Sequence, residues 1–129
     1  MAQLFRVTNH RDSSDCWTFT FLLPATIVSP NAPNDVISRE LLYAGNRWRV
    51  HVSRREGTHL SPSLELLNSG EGLSCTLDYG FTLINQDSYT QNERFVDKQR
   101  EFSDSKPRHG ARTFIHLDDL NALAMCHPL

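Results

Sequence analysis

Leu73-Ser74-Cys75-Thr76-Leu77-Asp78-Tyr79-Gly80-Phe81-Thr82-Leu83 is the stretch that decides the fold class. Leu73, Cys75, Leu77, Tyr79, Phe81 and Leu83 share one parity; Ser74, Thr76, Asp78, Gly80 and Thr82 hold the other. Side chains alternate between the two faces of a strand, so this pattern predicts one long strand with a buried face. The same period recurs on both sides. Trp17, Phe19, Phe21 and Leu23 share a parity, with Thr18 and Thr20 opposite. Trp48, Val50 and Val52 alternate with Arg47, Arg49 and His51. Leu60, Pro62, Leu64 and Leu66 alternate with Ser61, Ser63 and Glu65. Further strands are expected over 4–8, 36–42, 95–102 and 113–116. Turn-forming residues cluster between these runs, at 30–35, Gly45-Asn46, Glu56-Gly57, 68–70 and 85–87. One segment reads as helix: Asp118 caps a short turn through Ala122, with Asp119 at the positive helix end. Strands separated by such turns predict an all-β, antiparallel sandwich.

The chain has 129 residues, which fits one domain on the usual range of roughly 100–200. It is 39% hydrophobic and 22% charged, enough for a packed core. Thirteen basic residues face fifteen acidic ones, for a net charge of −2. That balance carries no footprint of nucleic-acid or membrane-surface binding, since each needs a basic patch. Lys98 and Lys106 are the only lysines. The longest uncharged stretch is broken by Pro24 and Pro30, so no spanning helix is expected. The first residues lack a signal peptide's apolar core. Cys16, Cys75 and Cys126 are odd in number and far apart, which suits a reduced, intracellular protein, cytoplasmic or nuclear.

Six histidines invite a metal reading, but a structural zinc site wants ligand pairs at short spacing. Cys126-His127 is the nearest pair, and adjacent residues on a strand point apart. No metal and no cofactor are expected. A Cys–His pair that meets only in space stays open from sequence, although Cys75 lies on the apolar parity and reads as core. No nucleophile-elbow, phosphate-loop, zinc-protease or dinucleotide motif occurs, so no enzyme is expected. Trp17, Phe19, Phe21, Trp48 and Phe81 lie on apolar parities and read as core. Tyr43, Tyr89, Phe95 and Phe102 have less regular surroundings.

Gly45-Asn46-Arg47-Trp48-Arg49-Val50-His51-Val52 resembles the G-x-x-W-x-L-x-V strand of MATH domains, the TRAF-like β-sandwich family. His59-Leu60-Ser61-Pro62-Ser63-Leu64-Glu65-Leu66 resembles the strand that follows in that family. Tyr79-Gly80-Phe81-Thr82-Leu83-Ile84-Asn85 resembles its F-x-F-x-L-x-N strand. Arg108-His109-Gly110-Ala111-Arg112-Thr113-Phe114-Ile115 resembles its x-W-G-F-x-x-F-I segment. Leu117-Asp118-Asp119-Leu120 matches the helix start that follows, and Trp17 to Phe21 serves as the first family strand. The resemblance covers about 16–123 of a single domain spanning 1–129. Residues 1–15 are then an N-terminal extension or an extra strand.

The resemblance implies seven or eight strands and a short helix near the C-terminus. It implies a non-catalytic protein-interaction module that binds a short peptide, selecting substrates for a ubiquitin ligase or partners for a signalling adaptor. Carried over position by position, the family's peptide site falls on Ser63, Tyr79, Phe102, Lys106, Arg108, His109 and Ala111. Family aromatics are replaced at Ser63, His109 and Ala111, so the usual Ser/Thr-rich ligand is expected to bind weakly. Lys106 and Arg108 suit an acidic or phosphorylated ligand. The family's closing strand has no counterpart in Met125–Leu129; residues 4–8 fill its place, or it lies outside this sequence. An unfilled place exposes a sheet edge. The alternative is therefore a self-associating scaffold domain, a homo-oligomer built on that edge.

Overall fold

A computed structural model describes residues 5–11, 17–22, 35–55, 59–68, 72–83 and 93–116 of the chain. The described residues form ten strands and no helix. These are β1 (Phe5–Arg11), β2 (Trp17–Leu22), β3 (Asp35–Ile37), β4 (Leu41–Tyr43), β5 (Asn46–Arg55), β6 (His59–Leu66), β7 (Ser74–Leu83), β8 (Glu93–Ser103), β9 (Arg108–Gly110) and β10 (Ile115–His116). Every pairing is antiparallel. One sheet runs β10-β6-β5-β3, with β4 also on β5 and β9 also on β6. β1–β2 and β7–β8 form two-stranded ribbons. The all-β, antiparallel expectation holds. The helical turn expected from Asp118 lies outside the described residues.

The period-two reading of β7 is seen directly. Cys75, Leu77, Tyr79, Phe81 and Leu83 are half-buried, and the residues between them are exposed. On β5 and β6, Trp48, Val50, Val52, Leu60 and Leu66 are buried in one core. Phe19, Phe21 and Leu64 pack against it. Trp48 is 2% exposed, and its indole N–H donates to Tyr43 O at 2.9 Å, closing the β4–β5 hairpin.

Two expected elements differ in detail. The run 36–42 is not one strand: it divides into β3 and β4 at Ser38. Ile37 pairs with His51 and Leu41 with Trp48, so the β3–β4 side carries one residue more than β5 does. Ser38 absorbs it. Its hydroxyl accepts the Val50 N–H at 2.9 Å and its own N–H donates to Val50 O at 2.9 Å. A side chain that substitutes for a ladder acceptor ends regular pairing there. The β4–β5 turn is Ala44-Gly45, at φ 52° and 75°, so Asn46 begins the next strand. Two positive φ values suit the right-handed twist of a tight hairpin.

β8 carries a second irregularity. Tyr79 pairs with Asp97 but Leu77 pairs with Arg100, so Lys98 and Gln99 together face Asp78. Gln99 adopts φ 52°, and its N–H donates to Asp78 Oδ1 at 2.7 Å. This bulge resets the parity of β8: Phe95 and Asp97 turn inward before it, Phe102 after it.

Candidate functional site

The polar parity of β5 and β6 forms the face of the large sheet opposite the core. Arg49, His51 and Ser53 stand beside Glu65, Ser63 and Ser61, with Asp35 on β3 and Arg108 on β9. This face is not simply solvated: His51 is 5% exposed, and Ser61 and Ser63 are buried as well. Their partners explain it. His51 Nε2 lies 2.7 Å from Glu65 Oε1, and Nδ1 lies 3.3 Å from Asp35 Oδ2. Glu65 Oε1 also accepts from Arg49 Nη2 at 2.8 Å and Nε at 3.2 Å. Ser53 Oγ donates to Asp35 Oδ1 at 2.7 Å. Arg108 Nε donates to Ser63 Oγ at 2.7 Å, and Arg108 Nη2 donates to Ser53 Oγ at 3.2 Å. Arg108 Nη2 also lies 4.0 Å from Asp35 Oδ1. Polar groups this close to burial persist because they are paired.

A histidine that activates a serine or cysteine nucleophile keeps one nitrogen toward that hydroxyl or thiol. Here each ring nitrogen of His51 faces a carboxylate, and Ser53 donates to Asp35 instead. Cys75 is a free, half-buried thiol on the inward parity of β7. Among the described residues, no group of three or more His, Cys, Asp or Glu is placed to hold a metal ion.

The seven residues of the expected peptide site separate into distinct places. Ser63 and Arg108 are joined on the polar face. Tyr79, Phe102 and His109 form a ring cluster on the core side, with centroids 5.5 Å apart for Tyr79–Phe102 and 4.8 Å for Phe102–His109. Phe102 is 0% exposed, so its ring belongs to the core and cannot line a surface. Ala111 is buried against β6, its N–H donating to Pro62 O at 3.0 Å and its carbonyl accepting from Ser61 Oγ at 2.6 Å. Lys106 is exposed on the turn that leaves β8, where its N–H and carbonyl both bond to Ser103 at 3.1 Å. The split has a simple cause: Arg108 and His109 are neighbours on β9 and point to opposite faces. Asp35, Arg49, His51, Ser53 and Glu65 were not singled out from sequence. The outward parity of β5 and β6 was the signal available for them.

Electrostatics differ between the two places. Burial opposes ionisation of Glu65, but the hydrogen bonds and charges of His51 and Arg49 outweigh it and hold the carboxyl below its ordinary value of 4.5. Asp97 is also held low, first by Arg100, with burial opposing and the Tyr79 hydroxyl adding to the effect. Arg100 Nε lies 2.9 Å and Tyr79 Oη 3.0 Å from Asp97 Oδ2. Burial, then the Asp97 contact, pushes the Tyr79 phenol up, so it remains a donor. A carboxyl lowered on folding stabilises the native state above its unfolded value and loses that contribution as pH falls through the folded one. Urea midpoints are therefore expected to hold from neutral pH to about pH 5 and to fall below 4.5. Glu65→Gln is expected to be less stable at neutral pH and to show a shallower acid loss; an unchanged acid slope would remove Glu65 from this account.

β9 lies at the rim of the sheet. Pro107 O accepts from Leu66 N–H at 2.7 Å, and Ala111 N–H donates to Pro62 O. The alternation of an antiparallel ladder then points the N–H and C=O groups of Arg108 and Gly110 away from β6. No strand pairs with that side among the described residues. His109 Nε2, on the core side of the same strand, is buried with no hydrogen-bond partner among the described residues. Among the described residues, no helix is long and apolar enough to cross a membrane. Comparison with known protein families, with curated proteins and with solved structures gives no match for the chain.

Proposed function

We propose that the chain is a non-catalytic recognition module of MATH/TRAF-like sandwich architecture that takes a short extended segment of a partner protein. The segment would add beside β9, in the manner of strand addition, with its backbone on Arg108 and Gly110. The carrying observation is Arg108. Its side chain is 41% exposed, yet its guanidinium is held by the hydroxyls of Ser63 and Ser53. An arginine fixed in place at a rim strand suits a carboxylate or phosphate, which it can meet with further N–H groups at little ordering cost. In this reading the role is substrate or partner selection for a ubiquitin ligase or signalling adaptor.

Self-association through an open edge has less support. β8 has no strand on its outer side among the described residues, but it carries Glu93, Arg94, Lys98, Arg100 and Glu101 and the Gln99 bulge. Charges and bulges are what proteins use to blunt an edge. Light scattering at high micromolar concentration is expected to give a monomer mass.

The test of recognition is a pull-down from cell lysate read by mass spectrometry, followed by titration of peptides from the captured partner. Arg108→Glu is expected to weaken binding of acidic or phosphorylated peptides by at least about tenfold, or about 1.4 kcal/mol, with the fold intact. Equal binding by the variant would move the site away from β9.

A further inference from the structure

We infer that Asp35 is a shared counter-ion. His51 holds it when the imidazole carries two protons, and Arg108 takes it when the imidazole carries one. Protonation of His51 thus sets how far the Arg108 charge is neutralised. This deepens the recognition reading: the effect on a ligand rests on it, whereas the switch belongs to the free chain. His51 is 5% exposed, with Nε2 2.7 Å from Glu65 Oε1 and Nδ1 3.3 Å from Asp35 Oδ2. Two carboxylates therefore face one ring, from the strands on either side of it.

A neutral imidazole has one N–H and one lone pair; an imidazolium has two N–H groups. Both contacts are hydrogen bonds only in the charged form, which donates to each carboxylate at once. With a single proton, one nitrogen must turn its lone pair to an acceptor oxygen. Distance and burial decide which. An unprotonated Nε2 would press two acceptors together at 2.7 Å, beside a Glu65 side chain that is 22% exposed. At Nδ1 the same conflict is weaker, because the separation is 3.3 Å and the Asp35 side chain is 40% exposed. The single proton stays on Nε2, and Asp35 is the group released.

The released carboxylate has a second cation at hand. Arg108 Nη2 lies 4.0 Å from Asp35 Oδ1, just beyond hydrogen-bond length. Ser53 Oγ already joins the two, donating to Asp35 Oδ1 at 2.7 Å and accepting from Arg108 Nη2 at 3.2 Å. A turn of the carboxylate closes the gap without moving a strand. The charged groups around His51 among the described residues are Asp35 from β3, Arg49 from its own strand, Glu65 from β6 and Arg108 from β9. Arg49 is committed to Glu65 through Nε and Nη2, so it does not compete for Asp35. Histidine is the side chain suited to such an exchange near neutral pH. An anionic ligand meets the less neutralised Arg108 on the acid side.

The test is NMR of the whole, isotopically labelled chain from about pH 5 to 8, the span of histidine's ordinary charge change, with no ligand added. At the acid end both His51 ring nitrogens should carry protons; at the alkaline end only Nε2 should. The Arg108 Nε signal should shift through the same step, a readout that needs no variant to fold. Asp35→Asn should remove the Arg108 shift and leave the His51 step in place, and His51→Gln should leave Arg108 flat across the range. An Nδ1–H form at the alkaline end would overturn the inference, since Glu65 would then be the group released. So would a His51 ring that keeps one charge state throughout, an Arg108 signal that stays flat while His51 changes, or an equal Arg108 shift in Asp35→Asn. All of these are read without a ligand, so a failed pull-down counts against the recognition reading alone.

Discussion

Phe102→Ala is expected to cost about 3–5 kcal/mol of stability, the range for removing a fully buried Phe ring. Phe102 is 0% exposed and meets three rings edge-on or nearly so. Trp48 lies 5.1 Å away at 90°, Tyr79 5.5 Å away at 67° and His109 4.8 Å away at 85°. Those partners come from β5, β7 and β9, so one ring ties the β7–β8 ribbon to the large sheet. Aromatic pairs in this geometry contribute about 0.5–1.5 kcal/mol each beyond the area they bury. Whole domains are stable by only about 5–15 kcal/mol, so the loss would be a large share. Guanidinium unfolding followed by Trp fluorescence measures it. A midpoint within error of the unaltered chain would put Phe102 back on the surface. The same result bears on recognition: a ligand lost in Phe102→Ala reports unfolding and says nothing of a peptide groove.

Gly110→Ala is expected to cost at least about 1–3 kcal/mol and to free β9 from β6. A Cβ at this position would stand 2.5 Å from Ser63 Cα, 2.7 Å from Ser63 Cβ, and nearer still to the Pro62 carbonyl oxygen. Backbone atoms of a central strand cannot give way as a flexible side chain can. β9 must therefore lift, straining the Ala111 N–H to Pro62 O and Leu66 N–H to Pro107 O bonds at either end. Each such bond contributes about 0.5–1.5 kcal/mol net. The Arg108–Ser63 contact goes with them. Hydrogen exchange is the suited readout: amides at 62–66 and 109–111 should lose protection, while those of β7 and β8 keep most of theirs. Uniform loss of protection would mean the whole fold depends on this contact; no loss would mean that β9 tolerates a side chain here.

The strand content was open to reading because side-chain alternation is local. Trp48, Val50 and Val52 need no distant partner to declare a buried face, nor do the residues from Cys75 to Leu83. Candidate-site residues were harder. Ser63 and Arg108 do meet, but Tyr79, Phe102 and His109 gather on the other side of the sheet. Position-by-position transfer of a family site carries identities along the chain and takes no account of which face each side chain leaves. The parity of Arg108 and His109 already separates them once 108–110 is a strand.

By itself the sequence determined an all-β, antiparallel chain, the inward residues of β5, β6 and β7, and the polar residues of the opposite face. Those follow from the two-residue repeat of an extended backbone. The tertiary structure alone decided what insertions and pairing impose. Phe95 and Phe102 have opposite parity in sequence, yet both turn inward, because Lys98 and Gln99 together oppose Asp78 and reset the count. Ser38 does the same between β3 and β4. His51 reads as one more outward polar residue, and only the lateral neighbours Asp35 and Glu65 make it a buried tie between strands. His59 and His116 become a pair solely through register. A bulge or a cross-strand neighbour is a relation between two strands, and the local pattern of one strand holds no information about the other.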